Sequence, residues 1–77
     1  MQHHLKDQLL RSSSSIALNI GEGNAKSSSK DRKKFFQIAY ASLKESLVAL
    51  ELAEIHDLEL FNLGDHIGGS LYKLIKK

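Results

Sequence analysis

The sequence predicts an all-α protein, an up-down helical bundle, from its composition and from the spacing of its apolar residues. Proline and threonine are absent and Val48 is the only valine, whereas Leu, Ala, Lys and Glu are abundant. These are helix-forming residues, and few residues favour strands. Apolar residues recur every three or four positions in three segments. We predict one domain, residues 1–77, with helices at about 5–22, 29–56 and 58–76 joined by short links.

The first predicted helix has an apolar stripe that a run of serines interrupts. Its members are Leu5, Leu9, Ile16 and Ile20, with Ser12 or Ser13 in the missing turn. Serine hydroxyls compete for backbone partners, but small side chains also let a neighbouring helix approach closely. We favour helix packing over a loop for the segment Ser12–Ser15. Gly23 is predicted to end this helix in the left-handed conformation.

The second predicted helix begins with a capping box, in which Ser28 is followed by Asp31 three residues later. Two adjacent apolar seams follow. The larger comprises Phe36, Tyr40, Leu43, Leu47 and Leu50, and the smaller comprises Phe35, Ala39, Ser42, Ser46, Ala49 and Ala53. A face this wide predicts contact with at least two other helices. The residues expected to form an association face are Phe35, Phe36, Tyr40, Leu43, Leu47 and Leu50.

The third predicted helix has a stripe formed by Leu60, Gly64, Ile67, Leu71 and Leu74. Lys73, Lys76 and Lys77 lie where cations stabilise the negative end of a helix dipole. The glycines at 64, 68 and 69 allow two interpretations, close packing or a break near 68–69. The sequence leaves both open.

Length and composition limit the class of protein. A chain of 77 residues buries only about 60% of its unfolded surface, so small folds depend on disulfides, metals or oligomerisation. Cysteine is absent, which leaves oligomerisation as the favoured route. No apolar run approaches the roughly 20 residues that span a bilayer, and the start lacks the pattern of a signal peptide. We expect a cytoplasmic protein without a membrane partner.

The segments Asn19–Gly23 and Phe35–Glu45, with the basic serine-containing link between them, resemble a known family. It is the bacterial four-helix-bundle family of 23S rRNA intervening sequence proteins, whose pattern reads S-x-x-I-x-x-N-I-A-E-G, a basic loop with a serine, then F-x-x-I-A-x-G-S-L-x-E. The matching residues, within about 8–55, are Ser13, Ile16, Asn19, Ile20, Glu22, Gly23, Ser28, Phe35, Ile38, Ala39, Ser42, Leu43 and Glu45. Gly21 stands where the family usually has Ala, and Ala41 where it has Gly.

The resemblance implies a left-handed bundle and, in some members, a homo-oligomeric ring of five subunits. It also implies a long helix before the segment where this chain begins, so that the three predicted helices represent a four-helix bundle lacking its first helix. The related accessory variability protein of diversity-generating retroelements forms such a ring and binds nucleic acid and a reverse transcriptase. The motif residues to which the resemblance gives a structural role are Asn19, Glu22, Gly23, Ser28, Ser42 and Glu45.

Charge is unevenly distributed along the sequence. Residues 1–44 carry eight Lys/Arg against three Asp/Glu, a net of +5, and residues 45–77 carry three against six, a net of −3. The nucleic-acid-binding candidates form the main basic cluster, Lys26, Lys30, Arg32, Lys33 and Lys34. Such a cluster can contact phosphates with salt-dependent affinity, or it can be a solvated helix start. We expect no exposed aromatic side chain among these residues to stack on bases.

Candidate catalytic and metal residues are few. No histidine among His3, His4, His56 and His66 has a second ligand at i,i+4, and no Ser/His/Asp order is apparent, so we expect no catalytic residue, metal or cofactor. The segment Gly21–Ser27 lacks the spacing of a phosphate loop.

The polar motif residues have structural interpretations beside functional ones. For Asn19 and Glu22 a loop-fixing hydrogen bond is favoured over a ligand site, and Glu22 is expected to find a basic partner in the link. Glu45 is expected to make a contact between helices or subunits rather than to act as a general base.

Three functions remain possible for the sequence. The first is a non-enzymatic, self-associating helical subunit whose basic end binds RNA or DNA. The second is an adaptor whose apolar groove accepts a helix from a protein partner, without nucleic acid. An enzyme is the least favoured.

Overall fold

The computed structural model describes residues 2–77 and contains three α-helices, which confirms the all-α class. They are α1 (His3–Ala25), α2 (Ser29–Leu52) and α3 (Leu58–Lys76). The links between them span only residues 26–28 and 53–57. Links this short make successive helices antiparallel, so the chain runs up, down and up again.

The three helices form a shallow layer in which α2 lies between α1 and α3. Backbone contacts join α1 to α2 and α2 to α3, but within residues 2–77 no Cα atom of α1 lies within 8 Å of one in α3. The Cα atoms extend over 40 × 22 × 13 Å, with a radius of gyration of 13.1 Å. A globular domain of this length has a radius of gyration of about 11.5 Å. The side of α2 between its two neighbours is therefore left open.

Helix α1 is longer than predicted, and the prediction that Gly23 ends it in the left-handed conformation is wrong. The helix continues to Ala25, and no glycine of the described residues has positive φ. Gly23 is instead buried against the ring of Phe36. A Cβ atom built on Gly23 would lie 2.6 Å from Phe36 Cε1. The glycine is needed for close approach of α1 and α2.

Helix α2 begins as predicted, because the Ser28 hydroxyl accepts a hydrogen bond from the Asp31 N–H at 3.4 Å. Its predicted end at residue 56 is wrong, since the helix ends at Leu52. There Glu54 adopts the left-handed conformation with φ of 58°. The Ile55 N–H donates to the Leu50 carbonyl and the Glu54 N–H to the Glu51 carbonyl, both at 3.0 Å. This pair of bonds is a Schellman motif, with Glu54 in the position that usually holds glycine.

Helix α3 has the predicted bounds and is continuous through its glycines. The Asp57 carboxylate caps it by accepting a hydrogen bond from the Leu60 N–H at 3.1 Å. A Cβ atom on Gly64 would lie 2.9 Å from Leu47 Cδ2, and one on Gly68 would lie 3.3 Å from Leu43 Cδ2. Of the two interpretations left open, close packing is the one the structure supports.

The apolar core is small and lies towards one end of the layer. Its centre comprises Phe36, Ala39 and Leu71, and the half-buried side chains packed against it are Ile20, Tyr40, Ile67, Leu74 and Ile75. All three helices contribute to this cluster, which joins the second half of α1 and of α3 to the first half of α2. The opposite half of the layer also buries apolar side chains, Leu5, Ala49 and Leu50 among them, outside this cluster.

Alanine substitution should have opposite effects at Gly21 and Gly23. Nothing lies within 4 Å of a Cβ atom on Gly21, so Gly21→Ala should raise the free energy of unfolding by about 1 kcal/mol through helix propensity. Gly23→Ala should lower it by about 1–3 kcal/mol, because the Phe36 ring must move. Urea unfolding at one protein concentration measures both. Stabilisation by both substitutions would show that the contact between Gly23 and Phe36 is not tight.

Candidate assembly groove and basic end

A ladder of serine hydroxyls joins α1 to α2 and fixes how these two helices lie against each other. The hydroxyls of Ser12 and Ser46 are 2.7 Å apart in a buried pair, and the Ser42 hydroxyl donates to the Ser15 hydroxyl at 2.8 Å. The Ser46 hydroxyl also donates to the Ser42 carbonyl at 3.0 Å. Small, paired side chains let the two backbones approach and fix their register. The packing interpretation of the serine run is confirmed.

The polar motif residues lie along the same interface or at the surface beside it. The Asn19 amide donates to the Ser15 carbonyl at 2.8 Å, so it holds a turn inside α1 and not the loop expected for it. The Glu22 carboxylate lies 3.7 Å from Lys26 Nζ in an exposed pair, which contributes little to stability. Glu45 accepts a hydrogen bond from the Gln8 amide at 3.3 Å, an interhelix contact.

An apolar groove of about 270 Å³ runs over α2 between its two neighbours. We call it the open groove, and its main apolar side chains are Leu9, Ile16, Leu47, Leu50, Leu60 and Leu63. Leu60 and Leu63 remain 40% and 55% exposed at its edge. Nothing within the described chain covers them. The open groove is thus a continuous apolar surface assembled from all three helices.

The residues of the predicted association face take two kinds of position. Phe36, Leu43 and Leu50 are buried inside the chain, although Leu43 and Leu50 form the floor of the open groove. Phe35, Tyr40 and Leu47 are half-buried. The most exposed apolar side chains of the groove come from α3, and the seam pattern of α2 gave no signal for them.

The total surface supports the same interpretation of the groove. The chain exposes 5429 Å², whereas a monomeric globular protein of 8.6 kDa exposes about 4,700 Å². The excess of about 700 Å² is close to the roughly 800 Å² that each partner buries in a stable protein interface. The chain as a whole therefore exposes more surface than a compact monomer of its mass, by an amount similar to one partner's share of an interface.

The up-down topology gathers positive charge at one end of the layer. There the end of α1, the start of α2 and the end of α3 meet, and the Lys33 ammonium donates to the main-chain oxygen of Lys77 at 2.7 Å. We define the basic end as residues 22–37 and 70–77. It carries eight Lys/Arg against two Asp/Glu, a net of +6, while the remaining residues carry three against seven, a net of −4. Lys73 and Lys76 of α3, and Lys77 after it, were not among the sequence candidates, because only the topology brings them there.

Aromatic rings lie close to several lysine ammonium groups of the basic end. The ammonium groups of Lys26 and Lys34 lie 5.2 and 6.0 Å from the centre of the Phe35 ring. The ammonium of Lys76 lies 5.4 Å from the centre of the Tyr72 ring, and Tyr72 is 52% exposed. The basic end therefore includes an exposed aromatic residue, Tyr72, which lies outside the sequence cluster of residues 26–34.

The described residues give no geometry for a metal centre or a membrane span. Residues 2–77 hold no cluster of three His, Asp or Glu side chains placed around a common point, and His3 lies near Asp7 alone, at 3.4 Å. None of the described helices combines the length and the apolar character that crossing a bilayer requires.

Comparison with known proteins gives one result. The family model described as 23S rRNA-intervening sequence protein matches residues 1–74, which is more of the chain than the motif residues alone cover. No curated protein and no solved structure matches the chain significantly.

A double-mutant cycle on the serine ladder should show energetic coupling between α1 and α2. Ser12→Ala and Ser46→Ala should each lower the free energy of unfolding by about 1 kcal/mol, because each removes one partner of a buried hydrogen bond. The double variant should lose less than the sum, by about 0.5–1 kcal/mol. Ser14→Ala is the matched control at an exposed site and should not destabilise the protein. Additive effects would mean that the two hydroxyls do not interact.

Proposed function

The chain belongs to the family of 23S rRNA-intervening sequence proteins, and we propose that it functions as a non-catalytic, self-associating helical subunit. The open groove carries this proposal. It is apolar, it is lined by all three helices, and Leu60 and Leu63 stand exposed at its edge. Exposed apolar side chains grouped around one groove are the kind of surface that proteins use for interaction.

The occupant that we propose for the groove is a second copy of the same chain. A domain of 77 residues without cysteine has few ways to increase its buried surface except by association. The exposed excess of about 700 Å² matches what one partner contributes to a standard interface. Homo-oligomers are also the common form of association for small soluble proteins. A ring of five, as the family resemblance implies, is the subunit number to test first.

The alternative is an adaptor whose groove accepts a helix from a different protein. An amphipathic helix placed in an apolar groove is a common mode of recognition, and the groove geometry fits it equally well. The two functions differ in one observable, since only the first predicts an assembly of the purified chain.

A second function, nucleic-acid binding, has its own support in the basic end. Its net charge of +6 is concentrated where three helix ends meet. A surface of this kind binds phosphate backbones mainly through electrostatics, with an affinity that falls as salt rises. We propose RNA or DNA as the ligand class of the basic end.

Replacing a leucine at the edge of the open groove by a charged residue should dissociate the assembly. Sedimentation of the wild-type chain should give one species heavier than a monomer, and Leu63→Glu should shift it to monomer, because an unpaired carboxylate would be buried in the interface. The matched control is Leu18→Glu. Leu18 is 68% exposed and lies two residues, about 200° of rotation, from Ile16 of the groove. The Leu18→Glu substitution should leave the mass of the assembly unchanged.

Each outcome of this experiment decides between the functions. A wild-type chain that is monomeric at all concentrations would exclude self-association and favour the adaptor. Dissociation by Leu18→Glu instead of Leu63→Glu would place the interface on another face.

Neutralising exposed lysines at the basic end should weaken nucleic-acid binding and its dependence on salt. Lys30→Gln combined with Lys34→Gln should reduce the slope of log affinity against log salt by about 1.4 for a single strand. The charge-matched control, Lys6→Gln with Arg11→Gln, lies outside the basic end and should change neither quantity. Fluorescence anisotropy of a labelled oligonucleotide measures both. If wild-type protein shows no binding at low salt, the nucleic-acid function is wrong.

A further inference from the structure

We propose that single-stranded nucleic acid binds to one defined surface, which starts at the basic end and continues along the side of the α2–α3 pair that faces away from the open groove. This inference rests on the nucleic-acid function proposed above and adds to it the strand class and the residues. We call the surface the tyrosine–lysine face, and its members are Lys33, Tyr40, Lys44, Tyr72 and Lys76.

The contribution of α2 to this face is a single stripe. Lys33, Gln37, Tyr40 and Lys44 follow one another at spacings of four, three and four residues, which places them on one side of a helix. This stripe borders α3 at two points. The Lys33 ammonium reaches the Lys77 oxygen at 2.7 Å, and a Cβ atom on Gly68 would lie 3.8 Å from Tyr40 Cε2.

The contribution of α3 lies on the same side of the pair. Ile67 lines the open groove, and Gly68 contacts α2. Tyr72 and Lys76 follow Ile67 by five and nine residues, which corresponds to rotations of about 140° and 180° around the helix axis. Their side chains therefore point away from the groove. A strand bound here and a second copy bound in the groove would not compete for the same atoms.

Each tyrosine of this face is paired with a lysine of its own helix. The Lys44 ammonium lies 5.3 Å from the centre of the Tyr40 ring, and the Lys76 ammonium lies 5.4 Å from the centre of the Tyr72 ring. Both distances are within the range of a cation–π interaction. When a base stacks on a ring, the flexible ammonium can move to the adjoining phosphate. Proteins that hold single strands combine aromatic rings, on which bases stack, with a positively charged surface along the phosphates.

The aromatic component favours a single strand over a duplex. Bases in a duplex are stacked on one another and present only their edges and phosphates, so a duplex can use the lysines but not the rings. Tyr72 is 52% exposed and is the most accessible ring of the face. The face is also short, because two carboxylates, Glu51 of α2 and Asp65 of α3, lie further along these helices, away from the basic end. It suits a few nucleotides rather than a long helical segment.

The test uses the two tyrosines as fluorophores, since the chain has no tryptophan. Tyr40→Phe leaves Tyr72 as the only tyrosine. Titration with an oligothymidylate of about 12 nucleotides at low salt should quench its emission, and a duplex of equal length should not. In binding measurements Tyr72→Ala should weaken the single strand about tenfold and leave duplex affinity unchanged. Tyr72→Phe, which keeps the ring, should bind like wild type.

The controls separate this inference from the functions on which it rests. Sedimentation and circular dichroism of Tyr72→Ala should match wild type, which excludes misfolding or loss of assembly as the cause. Equal affinity of wild type and Tyr72→Ala, or quenching by the duplex as strong as by the single strand, would overturn the stacking face. If Lys30→Gln with Lys34→Gln then still weakens binding, the basic end survives as a purely electrostatic site. If neither the single strand nor the duplex binds the wild-type protein, both the stacking face and the nucleic-acid function are wrong.

Discussion

The close approach of α1 to α2 is the contact on which the arrangement of the other elements depends. It is made possible by small side chains, with Gly23 against Phe36 at one end and the pair of Ser12 and Ser46 nearer the other. The paired hydroxyls leave no buried side-chain donor or acceptor unsatisfied among the described residues. The serine contacts use the small seam of α2, so the large seam beyond Phe36 is free to pack on α3.

The two seams of α2 also explain why the groove stays open. The seams are adjacent, so α1 and α3 lie on either side of α2 without touching each other through their backbones. Closing the structure would require apolar side chains to bridge the gap above Leu47, and none of the described chain does so. The core around Phe36 and Leu71 compensates at one end only. The same geometry that gives α2 two partners thus creates a surface for a third.

Local signals in the sequence were sufficient for the helices but not for every boundary. The bounds of α3 and the Ser28 cap follow from apolar spacing and from capping chemistry, both of which depend on neighbouring residues. The end of α2 was missed because the left-handed position is occupied by Glu54, a residue that carries no signal for it. Gly23 was misassigned because a glycine that ends a helix and one that permits close packing look identical in sequence.

The candidate sites, too, could be predicted only where their residues are close together in the sequence. Lysines of residues 26–34 could be found as a cluster, whereas Lys76 and Tyr72 join them only because α3 returns to the same end. The edge of the groove at Leu63 was missed for the same reason, since it opposes α1 across the layer. The subunit number and the relation to the accessory variability protein are predictions of the family resemblance alone.

The absence of backbone contact between α1 and α3 has a consequence for how the chain holds together. The chain consists of two helical hairpins that share α2, and the core cluster that includes Ile20 and Leu71 is where side chains of all three helices meet. Apart from this cluster, damage to one hairpin reaches the other through α2. In such a molecule an outer helix can unfold while the other two helices stay packed. A partner that contacts all three helices would make the two hairpins unfold in one transition.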